Sequence, residues 1–473
     1  MPTDPRGLRA DAPLLDAWLR FHEQELTPFT IPGHKYDLGL LGDVVAGDVP
    51  LYGGLASVKD AAALLAAAED RAAALWGVDR CRFSVAGSTH GNLATALAVA
   101  SPGQRVIVGR TLHRSLLVGL VLAGLEPVWV RPEVDPRLGV PLGLAPAALE
   151  EAFSRAPDAA AVLVGDPSYV GTTGDVAGLA EVAHRHDVPL VVDAAWAAYF
   201  GFHPSLPRHA LAAGADMLVT SAHKTLPAWS QGALVLARTD RVDPARLDAA
   251  FDIAHTTSPS GTILASIDAS RALLERDGPE VLAPILEAVA GLRARLTAEV
   301  PGLVVLDGPG VDPMKLTLVL SGTGADGNAV ERDLIAAGSP LEMADRDTLV
   351  PIVSLADGAA SLAGLGDLLV RLLERHRADP RPVVGAAAWS LVPELTVPPR
   401  EAFFAPREAV PLAAAVGRVS AELVAPYPPG VPVLAPGERV TGSVLAALEA
   451  AKVSGVRIAY AADPTLATVL VVG

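Results

Sequence analysis

Apolar and polar residues follow two periods along this chain, and the switch from one to the other sets out its elements. From Asp79 onward, short apolar runs recur at Cys81–Val85, Arg105–Val108, Pro127–Val130, Ala160–Val164, Pro189–Asp193, Met217–Thr220 and Ala233–Ala237. Stretches with helical spacing lie between them at Leu93–Ala100, Ser115–Gly124, Ala145–Ala156 and Val176–His186. Apolar runs of this length read as strands buried on both faces. Their alternation with helices predicts a mostly parallel sheet covered on each side. Ahead of this block, residues 13–26 predict a helix opened by Pro13, and an Ala-rich helix is expected from Val58 to Trp76, uninterrupted by Gly or Pro.

After Asp268 the texture changes. Two helices are expected at Ile267–Asp277 and Pro284–Thr297, then strands at Leu303–Leu306, Lys315–Leu320 and Leu349–Val353, with helices at Gly327–Ala337 and Leu362–His376. This pattern describes a smaller α/β unit. The polar, Pro-bearing stretch 377–382 reads as a linker. Beyond it a helix is expected around Gly442–Ala451 and short strands at Val456–Tyr460 and Val469–Val472.

Composition narrows the function classes. The 473 residues are 51% hydrophobic and 19% charged, with a formal net charge of -16 and no Lys/Arg-rich run. A large packed core is affordable, and nucleic acid or an anionic membrane surface is disfavoured as partner. The one cysteine, Cys81, reads as a small buried hydrophobe, and the scattered histidines lack metal-ligand spacing, so no metal is expected. No apolar run approaches the roughly 20 residues that span a bilayer, and the first residues lack the basic-then-apolar pattern of a secretory signal, so a cytoplasmic protein is expected.

The chemistry gathers at strand ends. Ser221, His223 and Lys224 follow the strand Met217–Thr220 directly. A lysine in such a place loses solvation and becomes a nucleophilic, Schiff-base amine, although a lone loop lysine is more often solvated. Asp193 ends another strand, where ligands of open α/β sheets bind; it could pair with a heteroaromatic N–H or simply cap a helix. The turn Ala86-Gly-Ser-Thr-His-Gly-Asn92 could bring backbone N–H groups, Ser88 and Thr89 to a phosphate, or be an ordinary strand-helix turn. His113, again after a strand, could stack on a planar ring or act as a cap. A phosphate cradle, a stacking face, an acid for a ring nitrogen and a Schiff-base amine together match one cofactor, pyridoxal 5'-phosphate (PLP).

With these residues in view, the chain resembles the Orn/Lys/Arg decarboxylases, and most closely the short bacterial members without an N-terminal wing domain. The resemblance runs nearly end to end, through Ile31-Pro-Gly-His-Lys35, Gly87-Ser-Thr-His-Gly-Asn92, His113-Arg-Ser115, Asp166-Pro-Ser-Tyr169, Asp193-Ala-Ala-Trp196, Ser221-Ala-His-Lys224, Thr257-Ser-Pro-Ser260, Asp312-Pro-Met-Lys-Leu316, Glu401-Ala-Phe-Phe404, Ala425-Pro-Tyr-Pro-Pro-Gly430 and Pro436-Gly-Glu438. It implies an α/β, aspartate-aminotransferase-like fold (fold type I of PLP enzymes) with a large seven-stranded sheet. The implied layout is an N-terminal helix and arm over 1–48, a large PLP-binding domain over 49–270, a small α/β domain over 271–380 and a C-terminal decarboxylase domain over 381–473.

The resemblance also implies roles. Lys224 would hold PLP covalently, with His223 beside it, and His223 or Lys224 would deliver the proton to Cα. Asp193 would keep the ring nitrogen protonated and His113 would stack on the ring. Gly87, Ser88, Thr89 and Ser221 would cradle the phosphate, and Trp196 would adjoin cofactor and substrate. Thr257 and Ser258 would reach the phosphate of a neighbouring subunit, so a homodimer at least is expected. Glu342, or Asp345 close by, would meet the distal amine of a basic substrate. The implied reaction is decarboxylation of lysine, arginine or ornithine to an amine, as in polyamine biosynthesis. Departures fall on the substrate side: Ala194 after the strand-end acid, Gly261 where an aromatic is usual, and Tyr52-Gly-Gly-Leu55 near the entrance. Two other readings stay open: another fold type I reaction, either transamination, for which Arg346 could clamp a carboxylate, or decarboxylation of an unusual amino acid, and a non-catalytic PLP-binding protein.

Overall fold

The computed structural model describes residues 3–23, 32–35, 38–49, 58–383, 391–427, 431–453 and 457–473. Helices α1 (Pro13–His22), α2 (Leu38–Leu41) and α3 (Val58–Trp76) precede the first strand. The central alternation runs β1 (Arg80–Ser84), α4 (Gly87–Val99), β2 (Arg105–Gly109), α5 (Arg114–Ala123), β3 (Glu126–Val130), α6 (Pro146–Arg155), β4 (Val162–Gly165), α7 (Val176–Arg185), β5 (Leu190–Asp193), β6 (Met217–Ser221), α8 (Ala222–Thr225) and β7 (Ala233–Ala237). Next come α9 (Pro244–Ala254), α10 (Gly261–Glu299), β8 (Val304–Val305), β9 (Leu318–Val319), α11 (Gly327–Ala336), β10 (Met343–Ala344), β11 (Thr348–Val350) and α12 (Ala359–Arg375). The last part holds α13 (Pro399–Phe404), β12 (Arg407–Pro411), β13 (Ala425–Tyr427), α14 (Gly442–Val453), β14 (Arg457–Ala459) and β15 (Thr468–Val472).

Seven strands form one sheet in the order β1-β7-β6-β5-β4-β2-β3. Pairings β2–β3, β2–β4 and β4–β5 are parallel, whereas β7 runs antiparallel to both β1 and β6. The chain divides into two compact units, one of residues 1–98, 194–282 and 354–356, the other of 99–193, 283–353 and 357–473.

In the first unit, β6 and β7 are buried at every position, which is why their sequences are unbroken apolar runs rather than alternating ones. Helix α4 lies so close to them that a Cβ on Gly91 would stand 2.7 Å from Val219 Cγ1 and 3.0 Å from Val235 Cγ2. Only glycine permits that approach, and it fixes the helix whose first turn carries Ser88 and Thr89.

In the second unit, β2, β4 and β5 are largely buried, and a separate four-stranded antiparallel sheet, β10-β11-β9-β8, follows. The C-terminal part has its own apolar core, centred on Val424, Val433, Val440, Val444, Leu448 and Val471. It is tied to the end of β2 by a buried pair: Arg110 donates to Glu438 Oε1 at 2.5 Å and to Oε2 at 2.9 Å, with the side chains 1% and 0% exposed. The Arg110 guanidinium also lies 4.8 Å from the Trp129 ring centroid.

Several expected boundaries move. The turn at 86–92 is already helix, since α4 begins at Gly87. The two helices expected between 267 and 297 are one 39-residue helix, α10, which runs through Gly278-Pro279 and Pro284. The strands expected at Leu303–Leu306 and Lys315–Leu320 shrink to two paired residues each. The stretch 377–382 is held to the turn between β10 and β11: Arg381 donates to Asp347 Oδ1 at 3.0 Å and to the carbonyls of Ala325 and Arg346. Strands β10 and β13, of two and three residues, are too short for alternation to show, whereas α9 carries a capping Asp243, Pro244 and apolar Leu247, Ala250 and Phe251 at helical spacing, a signal that reasoning from sequence missed.

Candidate active site

Lys224 sits in the single turn of α8, which starts as β6 ends. It is half-buried, and its ammonium lies 3.8 Å from the centroid of the Trp196 ring. The turn is held at both ends. Thr225 O accepts from Leu355 N–H at 3.0 Å, and the carbonyl of Gly232 accepts from the His223 backbone N–H at 3.2 Å and from its Nδ1 at 2.9 Å. A carbonyl only accepts, so Nδ1 carries the proton and Nε2 of the neutral ring keeps its lone pair. Burial, with the Lys224 charge adding to it, holds the His223 pKa below the ordinary histidine value.

The phosphate-type turn is clasped to the same loop. Gly87, at φ +73°, donates its N–H to Gln231 O at 2.8 Å, and the hydroxyls of Ser88 and Ser221 meet in a short hydrogen bond. Both serines are buried, whereas Thr89 is exposed. Two hydroxyls and the first turn of α4 therefore gather at one point, and a helix N-terminus favours negative charge. The residue after the strand-end acid is tied to this unit as well: Ala194 N–H donates to Val219 O at 2.8 Å and Ala194 O accepts from Thr220 Oγ1 at 2.9 Å. Ala194 is thus a buried backbone anchor whose small side chain leaves β6 undisturbed. Gly261, at the start of α10, donates to Val49 O at 2.6 Å. Thr257 and Ser258 are exposed, in the link between α9 and α10. Tyr52-Gly-Gly-Leu55 lies outside the described residues, as do Ile31 and the Pro-Pro-Gly piece ending at Gly430.

In the other unit, Asp193 closes β5, 8% exposed, with its carbonyl accepting from Asp166 N–H at 3.0 Å. His113 is exposed and caps α5. Its Nδ1 accepts from Ser115 N–H at 3.2 Å and lies 2.7 Å from the Ser115 hydroxyl, which fixes the ring plane and leaves the N–H on Nε2. Glu342 is exposed and accepts from the Tyr169 hydroxyl at 3.1 Å. Asp345 Oδ1 accepts from the N–H groups of Asp347 and Thr348, closing the turn between β10 and β11. Arg346 pairs with Asp347 at 3.0 Å.

Reasoning from sequence missed Ser115, Gly232, Thr220 and Tyr169 as partners of the site residues. Ser115 and Tyr169 lay inside quoted motifs, but nothing local marks which side chain they hold.

A seven-stranded mixed sheet with one antiparallel strand, and a lysine in the first turn after β6, define the aspartate-aminotransferase-like class of α/β proteins, fold type I. Within that class, the model of the Orn/Lys/Arg decarboxylase major domain matches residues 12–319, and that of the Orn/Lys/Arg decarboxylase C-terminal domain matches residues 386–457. The chain belongs to the Orn/Lys/Arg decarboxylase family. It is 31% identical to an arginine decarboxylase of Halalkalibacterium halodurans over 97% of both chains. In structure it is similar to lysine decarboxylase A from Pseudomonas aeruginosa, with TM-score 0.82 and 21% identity over 98% of this chain and 81% of that one. A solved structure of SPT with PLP shares the fold more distantly, with TM-score 0.56 and 17% identity over 78% of this chain and 85% of that one.

Proposed function

We propose that this protein removes the α-carboxylate of a basic amino acid, of the arginine, lysine and ornithine class, with PLP as cofactor. The observation that carries the reading is the meeting of Ser88 and Ser221 at the start of α4, with Lys224 three residues further along the chain.

The donor set fits PLP. Ser88, Ser221, Thr89 and the first turn of α4 offer hydroxyls and a positive helix end to a phosphate. Lys224 offers the amine for covalent attachment. Asp193 would pair with the ring N–H, and His113, its plane set by Ser115, would lie against the ring. When bound, PLP supplies the electron sink for the pair released as the bond from Cα to the carboxylate breaks.

The protein's own residues then have definite tasks. Asp193 would keep a proton on the ring nitrogen. His223, whose pKa burial lowers, and the Lys224 amine are the two groups that would deliver the proton to Cα. Trp196 steadies that amine between visits to the reacting centre. Glu342, aimed by Tyr169, meets the distal cation of the substrate. The exposed hydroxyls of Thr257 and Ser258 would complete the phosphate site of a second copy, making the working unit a homodimer.

The test is CO2 release from arginine, lysine and ornithine by the PLP-loaded protein, alongside borohydride reduction and peptide mapping. One amine formed per CO2, and the reduced cofactor on Lys224, are expected. Keto-acid formation without CO2 would overturn the reading.

A further inference from the structure

The segment Asp312-Pro-Met-Lys-Leu316 lies outside the PLP set, yet it carries a buried cation. Lys315 is 5% exposed. Its backbone is fixed on both sides: its N–H donates to Asp312 O at 3.1 Å and its carbonyl accepts from Arg293 Nη2. Its stem presses on Gly171, where an added Cβ would come within 2.5 Å of Lys315 Cγ and 2.6 Å of its Cβ. Two more bonds hold the loop after β4 to this segment, Asp312 N–H to Gly171 O at 2.8 Å and Thr317 Oγ1 to Val170 O at 2.8 Å.

The result is a relay of contacts. The Lys315 ammonium lies 5.3 Å from the centroid of the Tyr169 ring, and the Tyr169 hydroxyl donates to Glu342 Oε1 at 3.1 Å. A cation over a phenol face draws electron density from the ring, which makes the O–H a stronger donor. It also holds the ring in place. Glu342 stands on an exposed stretch before β10, where a glutamate would otherwise sample several rotamers. If filling space were the only need, a leucine or methionine would serve without the desolvation cost of a buried charge.

We infer that Lys315 is a positioning residue for substrate recognition: acting through the Tyr169 ring and hydroxyl, it holds the Glu342 carboxylate for the distal cation of a basic amino acid. The inference rests on the decarboxylase reading above and adds the device that sets its selectivity.

The experiment uses the PLP-loaded protein and the basic amino acid it turns over best, with steady-state CO2 release from the variants K315M, K315R, Y169F and K315M/Y169F. Replacing the cation by the isosteric methionine should raise KM about tenfold and change kcat less than about threefold, since ground-state recognition and not chemistry is affected. K315R should recover most of the loss. In the Y169F background, K315M should cost almost nothing more, because the relay is already cut at the hydroxyl. A purely structural lysine would lower kcat and raise KM alike, and its loss would multiply with that of Y169F; either result overturns the inference. Should K315M fail to fold, Y169F and K315R carry the test, and an unchanged KM in Y169F overturns it. An active wild type with an unaffected K315M sinks the inference alone, whereas a wild type that releases no CO2 from arginine, lysine or ornithine sinks the decarboxylase reading and the inference with it.

Discussion

The ammonium of Lys224 lies 3.8 Å from the centroid of the Trp196 indole. A cation at that distance from the best π donor among the side chains gains from the negative face of the ring, which helps hold the flexible lysine stem in one place. Lys224→Ala is expected to lose covalent PLP, read as loss of the visible absorption band, together with turnover, by about 10³-fold or more. Trp196→Ala should keep the band and lower kcat by about tenfold, the worth of one partly desolvated cation–π contact. A Lys224→Ala protein as active as wild type would contradict the assignment of the covalent anchor.

Ser88 and Ser221 come from elements 133 residues apart and share one hydrogen bond. If they serve a phosphate, each hydroxyl contributes a bond to a charged acceptor, worth about 1.5–3 kcal/mol. Ser88→Ala and Ser221→Ala should each weaken PLP binding by about ten- to a hundredfold in a titration of the cofactor-free protein. Because both hydroxyls are buried, leaving either without its partner should also cost about 1–3 kcal/mol of stability, so the titration is read on protein shown to be folded. Unchanged affinity in both would remove the serines from the cradle.

The Arg110–Glu438 pair is buried on both sides and bidentate. Removing one partner strands the other charge in the interior. Glu438→Ala should therefore destabilise the protein by about 3–5 kcal/mol, read as a lower urea midpoint, while the apolar pair Arg110→Met with Glu438→Leu should recover most of the loss. The C-terminal core it anchors should loosen first, visible as faster proteolysis between α13 and β15.

Burial pushes the Asp166 carboxyl up to about 7, against the opposing N–H of Gly174. Between the unfolded carboxylate value and that pKa, the native state holds a proton that the unfolded chain has released. Stability from this group is therefore full at acid pH and falls as pH rises. From about pH 5 to about pH 7 the loss is on the order of 2 kcal/mol. Asp166→Asn should abolish that slope and narrow the gap in urea midpoint between the two conditions. A wild type and variant with parallel pH profiles would show that Asp166 ionises normally.

Much of the site was legible because its residues are local to strand ends. Lys224, Asp193, His113 and Ser88 each follow an apolar run, and a strand's length and period can be read without knowing its neighbours. The parallel sheet followed from unbroken apolar runs for the same reason. What failed were features with no period to show. Strands β8 and β9 pair over two residues each, too few for alternation to register. The expected break inside α10 did not occur because proline weakens a helix locally, while packing along 39 residues outweighs it.

The sequence by itself was enough for the fold class and the family resemblance, and it singled out Lys224 as the candidate covalent lysine and the strand-end residues as a candidate PLP set, since each rests on residue type and short-range spacing. Only the tertiary structure decided which side chains act together. Ser88 with Ser221, Arg110 with Glu438, and Lys315 with Tyr169 and Glu342 are separated by 133, 328 and up to 173 residues. Asp345 closes a turn through the N–H groups of Asp347 and Thr348, and Glu342 meets the Tyr169 hydroxyl, partners that neither acid's own neighbourhood announces. Such pairings depend on where packing brings distant segments together, and that is a property of the folded core which no window of the sequence contains.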